Sequence, residues 1–198
     1  MHEITLLLTN LQFNWSIIES CAVIFSILYV VLAAKQNIWC WFFAGISVTL
    51  YIYICFISHL FAETGLQVFY LFMAAYGYYN WNKSKTALNI NQWSYSKHLF
   101  LILLAAIITF LMGFYLTTYT SAKMPIIDSF TTVFSIIATY MLTKKVLESW
   151  LYWTVIDAMS IYLYFDRDLH LTSLLFFIYT VIAIFGYFSW LKQMRIDA

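Results

Sequence analysis

Seven apolar runs, each close to the length of a bilayer crossing, constrain this 198-residue chain more than any motif it contains. A helix needs about 20 apolar residues to span the hydrocarbon core. Segments 15–34, 38–58, 65–81, 98–120, 128–143, 147–165 and 171–191 meet or approach that length. Two of these runs are short, which tilt or packing against neighbours absorbs. Hydrophobic residues make up 64% of the chain and charged residues 10%, against about 45–50% and about 25% in soluble domains. A soluble fold of this size has no interior large enough for so much apolar surface. The expectation is an all-α membrane protein, one membrane domain over residues 1–198 with the lipid bilayer as its solvent. A net charge of +1 provides no electrostatic footprint for nucleic acid. Cys21, Cys40 and Cys55 lie inside apolar runs without the paired spacings of a disulfide or metal framework, so they are expected reduced and buried. The first segment lacks a basic leading region and a small-residue cleavage site, so no removable signal peptide is expected.

The basic residues orient the helices. If successive crossings alternate, Lys35, Lys83, Lys85, Lys97, Lys144, Lys145, Lys192 and Arg195 share one side, and Lys123 and Arg167 hold the other. That asymmetry predicts an outside N-terminus and a cytoplasmic C-terminus. Losing or adding one helix would scramble it.

The chain also resembles itself. Shifted by 109 residues, its halves align without a gap: Phe25-Ser26-Ile27 meets Phe134-Ser135-Ile136, and Lys35 meets Lys144. Trp41 meets Trp150, Tyr70 meets Tyr179, Gly77-Tyr78 meets Gly186-Tyr187, and Trp81 meets Trp190. Apolar bias explains matched leucines but not tryptophan, glycine, tyrosine and lysine in one register. The expectation is a first three-helix repeat over 15–82, a linker helix over 98–120 and a second repeat over 128–191. Three crossings invert the chain direction and the linker restores it, so the repeats come out parallel. In transporters built this way the substrate sits near the midplane between the repeats.

Polar groups inside lipid are functional candidates. Asp157 falls near the middle of the sixth run, and Trp150, Trp153 and Asp157 at i, i+3 and i+7 share one helix face. The matching face of the second run carries Trp41, Ala44 and Val48, so the symmetry breaks there. Two indoles beside an acid make a cage for a flat cationic ring. The plainer alternatives are a structural carboxyl bonded to a neighbouring helix, and indoles that pack or sit at the membrane interface. Gln67 can donate and accept, and stands opposite Phe176 in the repeat; helix-end solvation is its alternative. Tyr70 and Tyr179 are expected to pack and make a hydroxyl contact, as are Tyr53 and Tyr162. Gly77 and Gly186 are expected to let helices approach closely. His2, His59, His98 and His170 fall near run ends, as interfacial residues and not metal ligands.

No Lys or Arg falls deep in a run, which argues against phosphate binding there. No phosphate loop or zinc motif appears, so no cofactor is expected. One midplane acid without a chain of further acids and histidines argues against a proton relay. These features fit a downhill carrier of a non-phosphorylated, cationic small molecule, with cytosolic trapping by a separate kinase. The alternatives are an intramembrane enzyme using Asp157 for acid–base work, which lacks a second catalytic group, and a structural subunit, which leaves the acid unexplained.

Three stretches carry a family resemblance: Leu66-Gln67-Val68-Phe69-Tyr70 with Tyr76-Gly77-Tyr78-Tyr79-Asn80-Trp81; Leu142-Thr143-Lys144-Lys145 with Glu148-Ser149-Trp150-Leu151-Tyr152-Trp153 and Asp157; and Gly186-Tyr187-Phe188-Ser189-Trp190. In these the chain resembles the PnuC family of bacterial vitamin transporters. The resemblance implies a three-one-three fold like that of SWEET sugar transporters with an added linker and opposite threading, homotrimers, and facilitated uptake across the bacterial inner membrane. It implies that Gln67, Trp150 and Trp153 line a site which in relatives holds nicotinamide riboside. In those relatives an asparagine usually stands where this chain has Asp157. Nicotinamide riboside, with a fixed pyridinium charge, and thiamine, whose aminopyrimidine suits a carboxyl partner, both remain open as cargo.

Overall fold

Capping, more than composition, marks where each crossing stops. Gln36, His59, Lys145 and Asp168 hold left-handed φ values of 56°, 59°, 51° and 58°. After the first of these ends, Gln36 N–H bonds Ala33 O at 2.9 Å and Asn37 N–H bonds Leu32 O at 2.9 Å. Lys145 with Val146, and Asp168 with Leu169, repeat that double bond to the preceding turn. A non-glycine residue in this conformation is unfavourable by about 1–2 kcal/mol, so the terminating turns are held by their surroundings. Gln36 and Lys145 are 109 residues apart, and His59 and Asp168 keep the same offset.

The computed structural model describes residues 17–59, 61–83, 89–120 and 123–196; Trp15, Leu60, Lys85 and His2 lie outside the described residues. Seven helices follow in order: α1 Ile17–Ala34, α2 Trp39–Ile57, α3 Phe61–Asn82, α4 Tyr95–Tyr119, α5 Pro125–Thr143, α6 Ser149–Asp166 and α7 His170–Ile196. No strand occurs among the described residues. All seven expected crossings are helices, and α1, α2, α4, α5 and the stretch Thr172–Ile196 of α7 are long and apolar enough to cross a membrane on those grounds alone. α3 and α6 are not, because tyrosine, tryptophan and acidic residues replace aliphatic ones along them. Boundaries move where end chemistry decides. α3 starts four residues before the expected Gly65, with Glu63 complementing its positive end. α5 starts at Pro125, whose missing N–H is harmless in a first turn. α7 runs on through Lys192 to Ile196, with Arg195 in its last turn.

The packing order closes on itself. α1 lies on α2, α2 on α3, α3 on α5, α5 on α6, α6 on α7 and α7 back on α1, while α4 packs along α5 and reaches α6 through His98 and Tyr152. Ala105, Thr109 and Gly113 are the buried residues of α4, a small-residue stripe that lets it dock. Large apolar side chains such as Phe72, Phe100, Phe110, Phe114 and Phe185 face outward. Ser129, Ser135, Thr139 and Thr143 are buried within α5 and satisfy their hydroxyls on its own carbonyls at 2.7–2.9 Å. Apolar outside and polar inside is the arrangement a lipid solvent favours.

At one end of the bundle the cations cluster. Lys145 Nζ lies 4.8 Å from the Trp81 ring and bonds Gln36 Oε1 at 3.1 Å, and Lys144 lies 4.8 Å from Tyr76. Residues 89–94 strap this end: Asn91 exchanges backbone bonds with Lys145 and Leu147, and its amide reaches Lys144 O at 2.7 Å. His98, expected at an interface, bridges Tyr152 at 3.1 Å and Glu148 at 3.7 Å there. At the other end Lys123 pairs with Asp166, and Arg167 with Asp128. All three cysteines are free, with Cys40 fully buried.

Gly77 and Gly186 receive indoles. A Cβ on Gly77 would stand 2.4 Å from the Trp41 ring, and one on Gly186 2.8 Å from the Trp150 ring. Each of these indoles then meets a second edge-on, Trp41 on Trp81 at 5.3 Å and Trp150 on Trp190 at 5.5 Å, and Trp81 and Trp190 meet at 6.1 Å. A methyl group has no room at either glycine. Gly77→Ala and Gly186→Ala should each lose about 1–3 kcal/mol through overpacking, read as lowered thermal midpoints in detergent. Gly45→Ala, with nothing within 4 Å, should be neutral or stabilise by up to about 1 kcal/mol.

Candidate functional site

Above the four indoles the six ring helices part around a cavity of about 220 Å³. α4 contributes nothing to its wall. All six residues expected at a site from the sequence line it: Gln67 and Tyr70 from α3, Trp150, Trp153 and Asp157 from α6, and Tyr179 from α7. Helix direction sorts the lining into levels. Trp41, Trp150, Ala33, Leu142, Ala74 and Ala183 form the floor at the lysine-rich end. Val30, Thr139, Ala44 and Trp153 stand above them, and Val48, Asp157, Tyr70 and Tyr179 higher again. Tyr51, Gln67 and Phe176 lie at the far end.

The frame is symmetric. Tyr179 Oη is hydrogen-bonded to Ser26 Oγ across the α1–α7 seam, and Tyr70 Oη to Ser135 Oγ at 2.6 Å across the α3–α5 seam. Each serine hydroxyl also donates to the carbonyl three residues earlier, Ser26 to Val23 O at 2.7 Å and Ser135 to Thr132 O at 2.9 Å. A hydroxyl has one proton. Both serine protons are committed to these carbonyls, so each tyrosine is the donor to its serine. The phenol oxygens keep their lone pairs, so Tyr70 and Tyr179 present acceptors at cavity level.

The contents are not symmetric. Asp157 is 3% exposed, no Lys, Arg or His stands in the wall, and no hydrogen bond or ion pair engages its carboxyl among the described residues. In the 109-residue register Trp153 corresponds to Ala44, and Gln67 to Phe176. Trp150 is 1% exposed, wedged between Gly186 and Trp190, so most of its ring is packing and one face is floor. Tyr53 and Tyr162 point outward and do not enter the cavity.

Sequence reasoning missed Tyr29, Tyr51, Ser26 and Thr139 as wall residues. A signal for Tyr51 was present: the α2 face Trp41, Ala44, Val48 continues three residues on at Tyr51. Ser26 and Ser135 stand in the repeat alignment, but only the packing of α1 on α7 and of α5 on α3 gives them their tyrosines.

A closed ring of helices, most of them long and apolar enough to cross a membrane, around a small chamber with aromatic walls, acceptor groups and a buried acid is the build of a membrane transporter for a small organic molecule. The family model described as nicotinamide mononucleotide transporter matches residues 16–192, and the chain belongs to this family, the PnuC family of membrane transporters. The nicotinamide riboside transporter PnuC of Escherichia coli (strain K12) is 28% identical over 92% of this chain and 88% of its own length. The riboflavin/roseoflavin transporter RibM of Streptomyces davaonensis is 24% identical over 88% and 84%. A crystal structure of the vitamin B3 transporter PnuC superposes with a TM-score of 0.75 at 23% identity, over 98% of this chain and 88% of that one.

The two tyrosine–serine bonds test the symmetric frame. Tyr70→Phe and Tyr179→Phe should lower stability by similar amounts, about 0.5–1.5 kcal/mol each. In thermal double-mutant cycles, Tyr179→Phe should couple to Ser26→Ala and add independently to Ser135→Ala. The opposite pattern would mean the seams are paired differently.

Proposed function

We propose that the chain takes up a non-phosphorylated vitamin, nicotinamide riboside, by facilitated diffusion across the bacterial inner membrane. The observation that carries this reading is the asymmetry of the cavity. Trp153, Asp157 and Gln67 stand where the other repeat has Ala44, Val48 and Phe176. A scaffold can be symmetric throughout, but a site for one asymmetric ligand is not. In this reading the nicotinamide ring stacks on Trp153 above the Trp150 floor, Asp157 neutralises the pyridinium, and Gln67, Tyr70 and Tyr179 meet its polar groups. The absence of a cation from the wall fits a ligand without phosphate.

The proposal extends to the architecture: two parallel three-helix repeats around the α4 linker, SWEET-like, with an outside N-terminus, a cytoplasmic C-terminus and a homotrimeric assembly. It draws support from the closed packing order and from the 109-residue offset of the left-handed caps and seam hydrogen bonds. A separate cytosolic kinase would trap the imported vitamin.

Thiamine is the second reading, favoured by Asp157 itself. A carboxyl group suits the amino group and ring nitrogen of an aminopyrimidine better than the asparagine that the family resemblance leads one to expect there. The riboflavin/roseoflavin name carried by one relative is consistent with a frame that serves different cargoes.

Calorimetry of both vitamins separates these readings. A base stacked on an aromatic ring contributes roughly 1–3 kcal/mol, so Trp153→Ala should weaken binding by about one to two decades. Asp157→Asn should weaken the vitamin that the acid serves, nicotinamide riboside through its pyridinium or thiamine through its aminopyrimidine. If it leaves both affinities unchanged, the acid has no part in binding. Proteoliposomes should equilibrate unmodified vitamin without an ion gradient; accumulation driven only by a proton or sodium gradient would contradict the downhill mechanism.

A further inference from the structure

We propose that Tyr51 sets the size limit of the cavity and thereby decides which ring systems the carrier accepts. This rests on the carrier reading above and adds a specificity-determining residue to it.

In the 109-residue register, Trp41, Ala44, Val48 and Tyr51 on α2 correspond to Trp150, Trp153, Asp157 and Ser160 on α6. All four α2 residues line the cavity, but on α6 the lining ends at Asp157. Ser160 is buried behind it at 3% exposure. The bulk at the far end is therefore supplied by Tyr51, where the register offers a hydroxymethyl group.

The other rings at that level are already committed. Phe176 lies parallel to Tyr164, with centroids 5.1 Å apart and planes at 9°, and meets Tyr179 edge-on at 5.8 Å. The opposite end is closed by Trp41 and Trp150 on their glycines. Tyr29 also stands where the other repeat has a small residue, Ala138. It packs on Trp41 at 5.9 Å, so its ring is tied to the floor.

Tyr51 is thus the wall residue whose shortening lengthens the chamber without dismantling a ring stack; its hydroxyl is in hydrogen-bonding contact with Ser26 of the α1–α7 seam, and Tyr51→Phe is the control for that contact. From Trp41 to Tyr51 the α2 backbone rises about 15 Å, at about 1.5 Å per residue, and side chains from both ends project into that interval. The resulting 220 Å³ lies below the roughly 300 Å³ at which pockets for drug-sized ligands begin. One or two small rings with a short arm suit that space. A fused tricycle bearing a polyhydroxy chain does not.

The test is calorimetry on the purified full chain with nicotinamide riboside, thiamine and riboflavin as probes. Wild type should bind one of the two smaller vitamins and discriminate against riboflavin. Tyr51→Ser should raise riboflavin affinity by roughly tenfold or more, on the scale of pocket-size discrimination, and should weaken the smaller vitamin by less than that. Tyr51→Phe keeps the ring and loses the hydroxyl, and should discriminate like wild type.

A folded Tyr51→Ser protein with no gain for riboflavin overturns the proposal. So does a Tyr51→Phe protein that gains as much, since the hydroxyl and not the bulk would then be responsible. If Tyr51→Ser does not fold, Tyr51→Leu, which keeps apolar packing with a shorter side chain, decides the same question. If wild type binds neither smaller vitamin, the carrier reading fails, and the riboflavin comparison between wild type and variants still decides the role of Tyr51.

Discussion

The bundle depends on two indoles seated against two glycines. Trp41 on Gly77 and Trp150 on Gly186 bring α2 to α3 and α6 to α7 at a distance that a methyl group would forbid. In lipid, helices gain little from hiding apolar surface, because the solvent is as apolar as the side chains. Association comes from close van der Waals contact and internal hydrogen bonds. A flat indole pressed on a bare backbone gives a large contact area at minimal separation. The same contacts carry Trp81 and Trp190 to the middle of the bundle, where they back the Trp41 and Trp150 floor of the cavity.

Polar groups follow from the same solvent. A hydroxyl or amide in hydrocarbon must be satisfied within the protein, and most serines and threonines of the crossings turn back on their own helix. Ser26 and Ser135 do so as well, and in addition accept from a tyrosine across a seam. Each seam is thus joined at cavity level by a bond that constrains helix spacing and leaves an acceptor facing inward. A symmetric frame built this way can hold an asymmetric content. Asp157, Trp153 and Gln67 are set into positions whose counterparts are apolar or small, so the cavity acquires a carboxyl group, an indole and an amide without disturbing the packing around it.

Much of this was legible in the chain. The seven helices follow from run length, and the glycine and tryptophan pairs follow from self-alignment because they recur at one offset. The six proposed site residues were found because intramembrane polarity and helix spacing are local properties. The ends were less legible. α3 begins before Gly65 and α7 runs past Leu191, because capping and end charges, not hydropathy, terminate a helix. Tyr53 and Tyr162, matched in the repeat and read like Tyr70 and Tyr179, turn outward: recurrence marks equivalence, not direction.

The sequence by itself determined that the chain is a membrane protein, that it forms seven helices, that a 109-residue shift aligns it with itself, and that Asp157 with Trp150 and Trp153 shares a helix face. These depend on composition and on periods of a few residues, which any helix obeys wherever it packs. Only the tertiary structure decided that α1 meets α7 and α3 meets α5, that Tyr70 and Tyr179 donate to serines, that Lys145 reaches Gln36, and that Tyr51 stands at the end of the cavity. Those facts depend on which helix faces lie opposite one another. That is settled by the simultaneous fit of six helices around two glycine-seated indoles, and no stretch of sequence contains it.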